Sequence, residues 1–260
     1  MQPAIQMTKK IDDIEIYFEI YAKGELLECF SNNFTDGQFV RRADNIIVLL
    51  HGNGGSLNEF SGNVEAWCEK NYCIAVDSRG HGKTTAGESD YTIDLMAEDL
   101  SKLCDEMNIG KFKIIGFSDG GNIALTYAVR HPERLSALVC SGANINPSGL
   151  KFLSWIPIYL HYLSAKAAKN NSKDSWLKYQ LLSLMINYPH ISPRLLKNID
   201  CPALIIDGDR DMIKPAHTQL ITDSIPGAVR KTIRNCGHNT FYEKPEVINR
   251  MISEFIENAY

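Results

Sequence analysis

Three side chains, Ser118, Asp211 and His238, have the types and the chain order that nucleophilic catalysis uses. Ser118 sits in GFSDGG, residues 116–121, directly after a run containing Phe112, Ile114 and Ile115 that reads as a buried strand. A glycine-flanked serine between strand and helix stands up and out of a sheet. Its hydroxyl is a weak nucleophile, so the reading requires a base and an acid to orient that base. His238, in the loop NCGHNTFYEKP beside Gly237, is the candidate base. The other histidines are less well placed. His131 and His217 fall on helices, His161 and His190 in an inserted segment, and His51 and His81 in glycine-bracketed loops shaped by hydrogen bonds.

The acid comes from ALIIDGDRDMIKP, which ends a buried strand with three aspartates. Asp207 is still on the strand, and Asp209 lies in the turn, where an aspartate commonly bonds its own backbone. Asp211 lies beyond the strand tip, within reach of a histidine from the next loop, and is preferred to Asp209. A tetrahedral oxyanion also needs donors. HGNGGS, residues 51–56, offers backbone N–H groups after an apolar strand, and the expected pair is the N–H of Asn53 with that of Asp119. The Asp119 side chain has two readings: an acid favoured in the first helical turn, or a partner for a cation on the substrate.

Alternating strand-like and helix-like segments would place these residues. Strands are expected at 14–21, 46–50, 72–76, 112–116, 135–140, 203–207 and 228–233, and helices at 57–70, 92–107, 119–130, 215–223 and 245–258. Repeated βα units with continuous apolar strands argue for a mostly parallel sheet covered on both faces. Residues 22–44 read as a polar surface loop without a catalytic role. If the strands that it joins are antiparallel neighbours, it lies at the end of the sheet away from Ser118. Residues 143–190 form a second interruption, and the stretch LKFLSWIPIYLHYLSA is apolar almost all round. Such a segment cannot bury itself. A lid over a pocket is the economical reading; dimer contact and membrane-surface docking are the alternatives. Trp155, Tyr159 and Leu163, four apart on one helical face, would line the pocket together, although Pro157 bends that spacing.

Composition narrows the partners. Net charge of −4 with scattered basic residues argues against nucleic acid. The N-terminus lacks a secretory pattern and no apolar stretch is long enough to span a bilayer, so a cytoplasmic protein is expected. Seven cysteines, an odd number, suit reduced thiols, and Cys68 with Cys73 lacks the second pair that a zinc site requires. DSRGHGKTT, residues 77–85, ends like a phosphate loop, but position 77 is Asp rather than Gly and no helix follows Lys83. Neither cofactor nor metal is expected.

Taken in order, HGNGGS, DSRGHGKT, GFSDGG, GDRDMIKP and GH before FYEKPE resemble the α/β-hydrolase superfamily, from about residue 10 onward. The resemblance implies an eight-stranded, mostly parallel sheet with helices on both faces. It implies a core of residues 1–142 and 191–260, with residues 143–190 as a helical cap. It also implies Ser118 as nucleophile, Asp211 as acid and His238 as base. The serine separates the chain from the dehalogenase and epoxide hydrolase branches, which carry aspartate there. The GxSDGG elbow is similar to that of biphenyl-hydrolase-like, valacyclovir-hydrolase type enzymes, which suggests amino-acid esters. The leading expectation is a serine hydrolase of small carboxylic esters, thioesters or lactones. C–C bond hydrolysis of dienone acids uses the same triad, and Lys151 or Lys166 could serve it. Acyl transfer, a non-enzymatic ligand receptor and a homodimer through the cap stay open.

Overall fold

Continuous apolar runs make strands that can only be covered on both faces, and the chain supplies five of them in parallel register. The computed structural model describes residues 1–41 and 43–258. Its main sheet consists of β1 (Ile5–Ile11), β2 (Ile14–Tyr21), β3 (Ile46–Leu50), β4 (Tyr72–Val76), β5 (Phe112–Phe117), β6 (Leu135–Ser141), β7 (Ala203–Gly208) and β8 (Val229–Ile233). Their spatial order is β1-β2-β4-β3-β5-β6-β7-β8. β1 pairs antiparallel with β2, and β2 antiparallel with β4; every other pairing is parallel. The carboxyl ends of the parallel strands therefore share one edge, where loops can converge.

Six longer helices accompany the sheet: α1 (Ile93–Glu106), α2 (Asp119–Arg130), α3 (Phe152–Ala168), α4 (Lys173–Asn187), α5 (Pro215–Ser224) and α6 (Pro245–Asn258). α1, α2 and α5 bury apolar side chains on one face, in a cluster with Val48, Ile74 and Ile114. α6 covers the other face through Ile248, Ile252 and Ile256, one side of a helix at four-residue spacing. Thr92 caps α1, its side chain accepting from the Leu95 N–H at 3.0 Å. α3 and α4 are inserted between β6 and β7 and pack against each other.

Three expectations need correction. The helix expected over 57–70 is instead two short turns, Leu57–Phe60 and Val64–Ala66. Buried Asn63 separates them, its amide donating to the Phe241 carbonyl and to Asn249 Oδ1, bonds that hold the chain in a bend. β1 was not expected, because its alternate side chains are polar and exposed along the edge of the sheet. Finally, the strands joined by residues 22–44 are not neighbours, since β4 lies between them.

Of this segment, residues 22–41 and 43–44 nevertheless lie at the far end of the sheet from Ser118. Phe39 packs against Phe34 and Tyr72 with ring centroids 5.1 and 5.3 Å apart, and Tyr72 opens β4. The Phe39 backbone N–H donates to the Met107 carbonyl beyond α1. Phe39 is only 2% exposed, so this stretch plugs the bottom of the core. Phe39→Ala should destabilise the protein by about 3–5 kcal/mol. Urea unfolding measures that loss, and turnover by the folded fraction should stay at the wild-type level.

Candidate active site

The strand-to-helix turn carrying Ser118 is built by close backbone approach. A Cβ on Gly120 would lie 2.0 Å from the Leu50 carbonyl oxygen, and one on Gly116 would lie 2.3 Å from that of Gly120. With the helix start pressed this closely onto β3 and β5, Ser118 adopts φ 52° and ψ −118°, a conformation that side chains normally avoid. Its N–H donates to the Ser141 carbonyl at 2.8 Å, which fixes the turn on β6.

Loops from β7 and β8 meet this serine. His238 Nε2 lies 2.9 Å from Ser118 Oγ, and His238 Nδ1 lies 2.7 Å from Asp211 Oδ1. Asp211 is 2% exposed, and its Oδ1 also accepts from the Ile213 N–H at 2.9 Å. The other two aspartates do different work. Asp207 pairs with Arg230 and accepts from the Thr232 hydroxyl, joining β7 to β8. Asp209 accepts from the backbone N–H groups of Asn235 and Cys236, which hold its carboxyl below the usual range. The three residues singled out from the sequence are thus brought together, and Asp209 is left outside their chain of hydrogen bonds.

Residues 51–56 lie directly against the serine: a Cβ on Gly52 would be 3.2 Å from Ser118 Cβ. Glu59 accepts from the Gly52 N–H at 2.8 Å, and burial raises its carboxyl pKa. Among the described residues, the backbone N–H groups of Asn53 and Asp119 have no protein acceptor. Asp119 is buried. Its Oδ2 accepts from the Asn53 amide at 2.8 Å and its Oδ1 from the Asn122 amide at 3.1 Å. Burial pushes its carboxyl pKa up, and the Asn53 amide opposes the shift. Each of the Asp119 oxygens thus has one protein donor, both of them side-chain amides. Asn122 also bonds the backbone N–H and the side chain of Asn144, at 2.8 and 3.1 Å. Asn122 stands three residues after Asp119, a helical spacing that could have revealed it. Glu59 and Asn144 carry no comparable signal.

The inserted helices reach the same place. The Asn53 amide donates to the Leu181 carbonyl of α4 at 2.8 Å, and Gln180 accepts from the Tyr91 N–H at 2.9 Å. A cleft of about 460 Å³ opens beside Asn53, lined by Leu177, Leu181, Leu182 and His161 together with the charged Asp174 and Lys178. Trp155 and Tyr159 stack with centroids 4.5 Å apart, continuing through Tyr162 to Tyr179 of α4. Neither they nor Leu163, which is 43% exposed, line that cleft. A helix that is apolar all round does not declare which face turns inward. Lys151 donates from Nζ to the Asp211 carbonyl, whereas Lys166 lies over the Tyr162 ring.

The segment DSRGHGKT is scaffolding. Arg79, its side chain 1% exposed, donates to both Asp99 oxygens at 2.8 Å. Asp77 accepts from the N–H groups of Leu57 and Lys83, each at 2.8 Å.

The chain resembles known proteins along most of its length. The sequence profile described as the alpha/beta hydrolase fold matches residues 45–174. The chain belongs to that family. A Bacillus subtilis (strain 168) protein provisionally named 2-succinyl-6-hydroxy-2,4-cyclohexadiene-1-carboxylate synthase is 26% identical, over 82% of this chain and 91% of its own. The 2-hydroxy-6-oxononadienedioate/2-hydroxy-6-oxononatrienedioate hydrolase of Escherichia coli (strain K12) is 27% identical, over 83% of this chain and 88% of its own. A thermophilic esterase from Thermogutta terrifontis superposes with a TM-score of 0.74 at 20% identity, covering 100% of this chain and 99% of its own. The eight-stranded α/β-hydrolase architecture expected from the sequence is therefore the one observed.

His51 donates from Nδ1 to the Gly52 carbonyl at 2.8 Å and accepts at Nε2 from the Ser78 N–H at 3.0 Å, so it is neutral here. Burial, with His81 beside it, depresses its pKa from 6.5 to about 3. Between those values the unfolded chain takes up a proton that the folded protein refuses, so stability falls as pH falls. The loss accumulates over the interval between those two values and ceases below about 3. Burial lowers His81 as well, which acts in the same direction. Urea unfolding between about pH 7 and pH 5 should therefore show stability dropping with acid. His51→Gln should flatten that slope; an unchanged slope would assign the acid sensitivity to other groups.

Proposed function

We propose that the protein is a serine hydrolase that cleaves small carboxylic esters, thioesters or lactones through an acyl-enzyme on Ser118. The observation that carries this reading is the unbroken hydrogen-bonded path from Ser118 Oγ through both nitrogens of His238 to Asp211, at 2.9 and 2.7 Å. In this reading Ser118 Oγ attacks the substrate carbonyl while its proton passes to His238 Nε2. The oxyanion that forms accepts from the N–H groups of Asn53 and Asp119. As the tetrahedral intermediate collapses, His238 returns the proton to the departing alcohol. Water then attacks the acyl group with His238 again as base, releasing the acid and restoring Ser118. Asp211 holds the imidazole in the tautomer with its proton on Nδ1 and stabilises the imidazolium.

Residues 143–190 act as the cap in this proposal, with the leucine-lined cleft beside Asn53 receiving the acyl group. Asp119 is a positioning residue that holds Asn53. Water is the acceptor that distinguishes hydrolysis from acyl transfer, and the substrate is a small molecule.

A second reading is C–C bond hydrolysis of a dienone acid. The name of the Escherichia coli relative favours it, and its identity exceeds that of the esterase. Release of acid from a panel of esters, lactones and a ring-fission diketone acid separates the two readings.

Ser118→Ala and His238→Ala should each remove nearly all turnover, and the double variant should be little worse, because members of one catalytic unit do not contribute additively. A fluorophosphonate probe should label Ser118 alone. Asp211→Asn should lower kcat by about three to four orders of magnitude. Asp209→Asn should cost far less, since it loosens a backbone clamp only. If Asp209→Asn proves the more damaging of the two, the acid has been assigned to the wrong residue.

A further inference from the structure

Helix α3 turns a band of large apolar side chains to solvent. Leu153 is 84% exposed, Phe152 67%, Leu160 59% and Leu163 43%. Leu153, Ile156, Leu160, Leu163 and Ala167 fall within about a quarter of the helix circumference. No charged side chain interrupts that arc. α3 packs chiefly on α4, so the band forms part of the outer surface of the insertion.

The charge around it is unlike that of the remaining protein. Residues 143–190 hold five lysines, one aspartate and neither arginine nor glutamate, a net of +4 in a chain of −4; the rest carries −8. Lys166 lies beside one edge of the band, over the Tyr162 ring; Lys169 lies on the side of α3 that faces α4, over the Tyr179 ring, and Lys173 and Lys178 are exposed on α4, Lys178 at the cleft beside Asn53.

We propose that this face docks on an anionic lipid bilayer. The apolar band would enter the headgroup layer while the lysines meet lipid phosphates. The acidic remainder of the molecule, repelled by the same surface, would orient the insertion toward it. Charge also favours an anionic surface over a second copy, because two insertions that each carry +4 would repel one another. Among the described residues no helix is long and apolar enough to cross a membrane, so the contact is superficial. The band also adjoins the proposed site. Lys151, immediately before Phe152, donates from its backbone to the Met212 carbonyl and from Nζ to that of Asp211.

The test is co-sedimentation of the full chain with vesicles of equimolar phosphatidylglycerol and phosphatidylcholine, beside vesicles of phosphatidylcholine alone. Binding to the anionic vesicles should be at least about tenfold stronger and should weaken as salt shortens the ~10 Å screening length found at 0.1 M. Leu153→Asp combined with Leu160→Asp should lower binding at least about tenfold. Both positions are exposed, so its melting temperature should match the wild type. Absence of binding to anionic vesicles, or binding that this variant retains, would overturn the proposal. So would a concentration-dependent dimer, dissolved by the variant, in a protein that ignores vesicles. The measurement needs no turnover and should be the same for Ser118→Ala, so docking and hydrolysis fail or succeed separately.

Discussion

Backbone contact at one point organises the molecule. Gly120 leaves no space for a side chain between α2 and the ends of β3 and β5, and that contact drives Ser118 into its left-handed conformation. Strain of this kind costs about 1–3 kcal/mol and persists only where the surroundings enforce it. Here the Ser118 N–H bonded to Ser141, and the Ser118 carbonyl accepting from Asn122, offset part of the cost. Because the strands on either side of β5 are parallel, the loops after β3, β7 and β8 are delivered to the same edge. The sheet sets which loops meet, and the glycine contact sets what they meet around.

Polar groups beneath the serine then divide into two kinds. Asp211 and His238 form a path that leads outward to Oγ, with His238 partly open to solvent. Asp119, Asn122 and Asn144 form an enclosed amide and carboxylate network that fixes backbone instead. In a low-dielectric interior a buried carboxylate is tolerable only when donors surround it, as two amides do at Asp119. His51, Glu59 and Asp77 act likewise on the loops, each anchoring backbone N–H or carbonyl groups near the site.

Ser118, Asp211 and His238 were legible because their surroundings are local in sequence: a strand end, a glycine and a turn. The parallel strands were legible for the same reason, as short apolar runs. β1 was not, because an exposed edge strand needs no apolar pattern beyond one face. The failed helix over 57–70 carries apolar residues at suitable intervals, but Asn63 finds partners in Phe241 and in Asn249 of α6 that no local pattern reveals. The apolar breadth of α3 disclosed an unusual helix and concealed its orientation. That is why Trp155 and Tyr159 prove to stack together while Leu177, Leu181 and Leu182 flank the cleft. Glu59 acts by a bond back to Gly52 within its own loop and Asn144 by bonds to Asn122 on α2, and neither arrangement leaves a trace in spacing.

The Asn53 amide touches the insertion at a single kind of atom, the main-chain carbonyl of Leu181. Any residue but one unable to stay helical supplies that oxygen equally well. The requirement placed on the insertion is thus for a helix at a given position, with the side chains of α4 unconstrained by this bond. Over generations the lining of the cleft could be rewritten residue by residue while the loop bearing Asn53 kept its anchor. New substrate preferences would then be accessible by ordinary substitutions, without first passing through a form whose serine site had come apart.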